Sequence, residues 1–256
     1  MFDVAQLDER AQTQSKHNSL GLKMNKGRLG RFKMSKLWAC HMVGAVVTWP
    51  FRLLLRHPRP TRYQQLYVRT HDLVRAGSLL TGPPQRNRFE RILGKVVAPG
   101  DWDLHYKDLE MTWKRKTLFG LAAGLGPQGS GYVERMEAMV ARYGVNHGCR
   151  DYASITKRAT LLETTIEQIK TDGRLRERSE VVSWAFRELG GIEVAIGRDG
   201  TVYKVGDGGH RFVFATALDI EAVPVAVIAI HPDAIRNGAY RHLLSESRRL
   251  RGVMLS

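Results

Sequence analysis

The chain has 256 residues, 43% of them hydrophobic and 25% charged, with 25 Gly, 9 Pro and 2 Cys. This composition excludes a collagen-like repeat, a disulfide scaffold and a wholly disordered chain, and it suffices for one large domain with an extension. Forty Lys and Arg against 25 Asp and Glu give a formal net charge of +15, which points to anionic partners: nucleotides, nucleic acid or anionic lipid.

The basicity is concentrated at one end. Residues 10–71 hold thirteen Lys and Arg and no acid, and only Asp3, Asp8 and Glu9 precede them, so residues 1–71 carry +10 and the remainder +5. A catalytic domain does not need that asymmetry, so residues 1–88 are read as a basic, mainly helical N-terminal extension. Within it, residues 15–36 are polar, basic and glycine-punctuated. Residues 37–55 are mostly apolar, but the run without a charge, Leu37 to Phe51, is only fifteen residues long. A bilayer span takes about twenty. A core helix or a helix lying in a membrane interface, anchored by Trp38, Trp49 and the flanking cations, are the two readings. The pattern lacks a clear signal-peptide cleavage site. Cys40 and Cys149 match no redox or zinc spacing. A cytoplasmic location is expected, with peripheral attachment to the inner membrane face as the alternative. Residues 57–88 read as a linker with one short helix, ending at Gly82-Pro83-Pro84. The second domain is placed at 89–256.

Residues 89–97 have strand character and lead into Pro99-Gly100-Asp101-Trp102-Asp103. Two carboxylates after a Pro-Gly turn suit a helix cap or a ligand or metal site. Residues 117–131 contain Gly124, Gly126 and Gly129 in a G-x-G-x-x-G spacing. The preceding residues are not strand-like and no acid follows at the required distance, so a flexible loop is expected rather than a dinucleotide site. Residues 132–143 form an amphipathic helix, and Asn146-His147-Gly148-Cys149 a turn. Residues 152–171 place Ile155, Ala159, Leu162, Ile166 and Ile169 on one helical face, with Gly173 as C-terminal cap.

Residues 192–231 carry the most chemistry. Ile192, Val194 and Ile196 alternate as a strand, Asp199-Gly200 marks a hairpin, and Val202, Tyr203 and Val205 return. Gly206-Asp207-Gly208-Gly209-His210-Arg211 follows, then a short helix at 212–218 and the apolar strand 223–230. A glycine loop at a helix N-terminus offers free N–H groups and a favourable dipole to an anion. Arg211 can grip phosphate in a bidentate fork, and His210 can move a proton near neutral pH. Asp207 suits Mg2+, orientation of His210, or a base role.

The hairpin, the Asp-Gly-Gly-His-Arg loop and the following A-x-x-L-x-x-x-x-V-P-V resemble the ParB/sulfiredoxin superfamily over residues 151–231. The helix at 152–171 resembles the one that precedes that loop in the family. The resemblance implies an α+β fold, a small mixed sheet with packed helices, and nucleotide phosphates bound by Gly208, Gly209, His210 and Arg211. Sulfiredoxin's cysteine is replaced by Gly209, which argues against sulfinic acid reduction. The second arginine of the chromosome-partitioning proteins is absent, and no helix-turn-helix follows. The loop is closer to the kinase and putative nuclease branches. The expected activity is phosphoryl transfer or nucleoside triphosphate hydrolysis, using ATP, ADP or CTP with Mg2+. His210, Asp207 and Arg211 would be catalytic, and Asp207, Asp101 and Asp103 would be candidate metal ligands, with Glu163 a further candidate. The alternative is a DNA-binding protein or nuclease working through residues 10–71.

Overall fold

The computed structural model describes residues 64–74, 96–106, 112–181 and 190–255. The apolar stretch 37–55 and most of the strand expected at 89–97 lie outside them. Four strands form one mixed sheet: β1 (Gln64–Arg69), β2 (Ile192–Ile196), β3 (Val202–Lys204) and β4 (Ala222–Ile230). Their order is β1-β4-β2-β3, with β1 antiparallel to β4, β4 parallel to β2, and β2 antiparallel to β3. The fold is α+β.

β4 is buried along nearly its whole length, which is why its sequence is a continuous apolar run rather than an alternating one. β1 alternates: Leu66 and Val68 join the main core, while Tyr67 packs with Ala222, Leu250 and Met254. β2 carries a register shift opposite β4 between Val194 and Ala195. Beyond the end of β1, Val97 bridges Ile230, and the Ile230 N–H and carbonyl bond to Val96 and Ala98.

The helices are α1 (Thr70–Val74), α2 (Trp113–Ala122), α3 (Gly126–Gly129), α4 (Tyr132–Tyr143), α5 (Tyr152–Asp172), α6 (Arg178–Val181), α7 (Gly209–Ala217), α8 (Pro232–Arg236) and α9 (Ala239–Leu255). α7 packs on α2, α2 on α4, and α4 on α5. Leu118, Leu121, Tyr132, Met136, Ile155, Ile166, Phe212 and Phe214 bury their side chains in the main core with Ile192, Val194, Val225 and Val227. α9 covers β1, and Ser247 Oγ accepts the Tyr67 N–H at 2.7 Å.

α5 follows the expected periodicity. Asp151 and Ser154 form a reciprocal capping box at its start, and Gly173 (φ +62°) ends it. Two expectations change. Residues 64–69, read as linker, are the edge strand β1, so the sheet draws on residues N-terminal to 88. An edge strand pairs on one side only, and this one lies in a basic, proline-containing stretch that hides its short alternation. Residues 117–131, read as a flexible loop, are the C-terminal half of α2, then α3. Leu118, Leu121 and Ala122 give α2 a buried face, and Gly120 lets its backbone approach Ser130 closely.

Candidate anion-binding site

The helix expected at 212–218 begins three residues earlier, at Gly209. Gly208 occupies the N-cap position with φ +82°, and a Cβ there would overlap the backbone of Gly191 and Ile192. Only glycine fits. His210 and Arg211 therefore stand in the first turn of α7, where the leading N–H groups have no acceptor within the helix. The loop before α7 is tied to the sheet. Glu193 N–H donates to the Asp207 carbonyl, and the Glu193 carboxylate accepts the Asp207 N–H. Lys204 Nζ donates to the carbonyls of Val205, Gly206 and Asp207. Burial lowers the Lys204 ammonium to about 8, against the pull of Glu193 and Asp207.

Around the first turn of α7 three other helices converge. α2 brings Lys114, whose Nζ lies 3.9 Å from where a Gly209 side chain would start. α4 brings Arg135 and Tyr132, and α5 brings Arg158. The turn between α4 and α5 brings His147, in the left-handed region at φ +48°. The His147 and His210 rings meet edge to face with centroids 5.3 Å apart. Arg158 Nη1 donates to the His147 carbonyl at 3.5 Å. Arg135 is 5% exposed and Tyr132 is fully buried. Arg135 Nη1 lies 3.8 Å from the Met136 sulfur. Tyr132 Oη, Arg158 Nε and His210 Nε2 are buried without a hydrogen-bond partner.

No carboxylate among the described residues is paired with Lys114, Arg135, Arg158, His147 or His210. The electrostatic consequence is consistent across the group. Burial, then Lys114, His147, Arg158 and Arg135, push the His210 imidazole down to about 3. Burial, then Arg158, Lys114 and Arg135, push His147 down to about 4. Burial, Arg135 and Arg158 lower Lys114 as well. Three cations and two imidazoles whose protonation is disfavoured thus stand together beside a helix N-terminus, with no paired carboxylate among the described residues.

The candidate residues from the sequence divide. Gly208, Gly209 and His210 lie at this site. Arg211 turns its guanidinium to the Arg176 carbonyl, with Nη2 donating at 2.6 Å, and so anchors the segment between α5 and α6. Asp207 is exposed in the loop beside Lys204. Asp101 and Asp103 lie at the opposite end of β3. Asp103 Oδ2 accepts the Arg198 N–H at 2.7 Å, and both carboxylates accept from the Arg198 guanidinium. Burial would raise the Asp103 carboxyl, but the hydrogen bonds from Arg198 hold it below its usual range. Trp102 Nε1 donates to the Ala98 carbonyl, and the Tyr203 hydroxyl donates to the Asp103 carbonyl. His231 accepts the Asp233 N–H at Nδ1, so its Nε2–H donates to Gly100 O. This turn clamps the β2–β3 hairpin and caps no helix directly after it.

Among the described residues no three His, Cys, Asp or Glu side chains converge to hold a metal ion. Of the candidate metal ligands, Asp101 and Asp103 are paired with Arg198 at the turn of the β2–β3 hairpin, whereas Asp207 stands in the loop that follows β3. Glu163 is five residues past Arg158 on α5, roughly 140° around the helix. Cys149 is buried, with Sγ donating to the Ser154 carbonyl. Sequence reading missed Lys114, Arg135, Tyr132 and Arg158. Their signal is weak, since each is a basic or aromatic residue on an amphipathic helix and only the packing of α2, α4 and α5 brings them together. Among the described residues no helix is long and apolar enough to cross a membrane. No family model, no curated protein and no solved structure matches the chain.

Proposed function

We propose that the chain binds the phosphates of a nucleotide at the first turn of α7, and that its reaction is phosphoryl transfer or phosphoanhydride hydrolysis in the manner of a ParB/sulfiredoxin-like enzyme. One observation carries the reading: Lys114, Arg135 and Arg158 surround His210 and His147 with no carboxylate partner among the described residues. Buried like charges repel, and an anion that pairs with all of them relieves both repulsion and desolvation. Arg158 Nε, buried without a hydrogen-bond partner, supplies a donor that phosphate oxygens accept, with the Tyr132 hydroxyl beside the same guanidinium. Gly208 and Gly209 let the α7 N-terminus approach those oxygens. The cations that stabilise bound phosphate also stabilise charge building on a transferred phosphoryl group.

His210 is the group placed to carry a proton, because it is half-buried at the first turn of α7 with its Nε2 unpartnered, and burial and the neighbouring cations favour the neutral ring. Arg211 acts by fixing the segment at Arg176. Among the described residues no three His, Cys, Asp or Glu side chains converge at the loop to hold Mg2+. The nucleotides this reading admits are ATP, ADP and CTP.

The test is titration calorimetry of the full chain with each nucleotide, beside Arg158→Ala. Saturable binding that weakens at least tenfold in the variant, about 1.4 kcal/mol, supports the reading. Equal binding by both proteins overturns it. A second reading rests on the +10 charge of residues 1–71: docking on nucleic acid or an anionic membrane surface. It predicts affinity that falls steeply with salt and is indifferent to Arg158.

A further inference from the structure

We infer that the site selects the polyphosphate end of its ligand over a phosphodiester, and that binding draws a proton onto the His147–His210 pair. The inference rests on the phosphate-binding reading above and adds the ligand's charge class and its proton coupling.

Among the described residues, the charged groups that act on the two imidazoles are all cations: Lys114 from α2, Arg135 from α4 and Arg158 from α5, with the Phe214 ring of α7 packed against His210. The three fixed positive charges have no internal counter-ion among the described residues. A phosphodiester brings one negative charge and leaves two cations uncompensated. A diphosphate end brings about three and cancels them, and a triphosphate end brings about four and reverses the sign of the local field.

That reversal acts on the histidines. In the free protein the field of Lys114, Arg135 and Arg158 adds to burial and keeps both rings neutral. His210 Nε2 is buried with no partner. A neutral imidazole offers one N–H, whereas an imidazolium offers two. Once phosphate oxygens stand beside the rings, the protonated form gains a charge-assisted hydrogen bond and loses its repulsion. The proton comes from solvent and rests on imidazole nitrogen, and no covalent bond to phosphorus changes.

The edge-to-face contact of the rings limits the uptake. Two imidazolium ions 5.3 Å apart repel each other, so the pair takes up about one proton rather than two. By linkage, affinity then rises as pH falls from 8 toward 6, with a slope of log K against pH near −1. Below about pH 6 protonation of the terminal phosphate works in the opposite sense.

The experiment is calorimetry of the full chain with tripolyphosphate at pH 7 in two buffers of different ionisation heat. Orthophosphate and dimethyl phosphate are titrated in parallel, and Arg158→Ala and His147→Asn/His210→Asn serve as variants. The expected result is tripolyphosphate binding at least tenfold tighter than either small anion, with uptake of about one proton. Uptake should vanish in the double histidine variant. Binding without uptake, or equal affinity for dimethyl phosphate, overturns this inference and leaves the phosphate-binding reading standing. Unchanged tripolyphosphate binding in Arg158→Ala places the anion elsewhere and overturns both. The wild-type titration in two buffers decides the proton question even if the double variant does not fold.

Discussion

His210 is the residue in which local chemistry and tertiary context conflict most. As an isolated imidazole it titrates near 6.5. In the first turn of α7, burial and the cations around it lower that value to about 3. His147 is lowered to about 4 by the same causes. The sign follows from linkage. The unfolded chain binds these protons more readily than the folded chain. The stabilisation from neutral rings is therefore complete above about pH 6.5 and is lost as the pH falls toward 4 and then 3. The melting temperature of the ligand-free protein should decline over that window, and the decline should be shallower in His210→Asn. A wild-type melting temperature that is flat from pH 7 to 4 would show that the rings do not sit among uncompensated cations. The loop's glycines and His210 could be picked out as a candidate anion site because their spacing is local. Arg211 was legible only by type. Nothing local announces that its guanidinium reaches the Arg176 carbonyl, since that partner is 35 residues away.

At the scale of elements, the site depends on two devices that hold the β2–β3 hairpin. One is the turn at 100–103. Asp103 is 3% exposed and accepts both the backbone N–H and the guanidinium of Arg198. Asp103→Ala would leave those donors without their acceptor and should cost about 2 kcal/mol of stability, read as a lowered urea midpoint with an unchanged slope. An unchanged midpoint would mean that the clamp contributes nothing. The other device is Gly208, whose positive φ and contact with Gly191 and Ile192 exclude any side chain. Gly208→Ala should lose phosphate binding even where folding survives, because the strand–loop–helix geometry must open to admit a methyl group. The hairpin, α4, α5 and β4 were readable from periodicity and turn chemistry. The carboxylates of the Pro-Gly-Asp-Trp-Asp turn looked like ligands in sequence because a buried ion pair and a metal site use the same residue types. The partner, Arg198, decides between them, and it lies 95 residues away from Asp103.

At the scale of the molecule, a mixed four-stranded sheet carries helices that bring cations from α2, α4 and α5 to the N-terminus of α7. The α+β class was implied by the family resemblance, and the mixed sheet with packed helices agrees with it at that level. The extent of the sheet did not, because β1 is an edge strand inside a basic segment and pairs with β4 more than 150 positions later. The site follows the same rule. Its glycine loop is contiguous and could be found in sequence, whereas Lys114, Tyr132, Arg135 and Arg158 are gathered only by helix packing. Basicity is similarly deceptive. The largest excess of charge lies in residues 1–71, yet the described residues hold a smaller cationic group, Arg135 buried and Lys114 and Arg158 half-buried, with no carboxylate partner among the described residues.

The most direct test of the central claim is histidine imidazole NMR of the full chain during addition of tripolyphosphate. His71, His231 and His242 lie outside the proposed site and serve as internal references. The account predicts that the His147 and His210 ring signals move together and saturate, with a shift toward the imidazolium position, while those of the other three stay fixed. Saturable binding with His147 and His210 unmoved would contradict it and would place the anion site away from the first turn of α7.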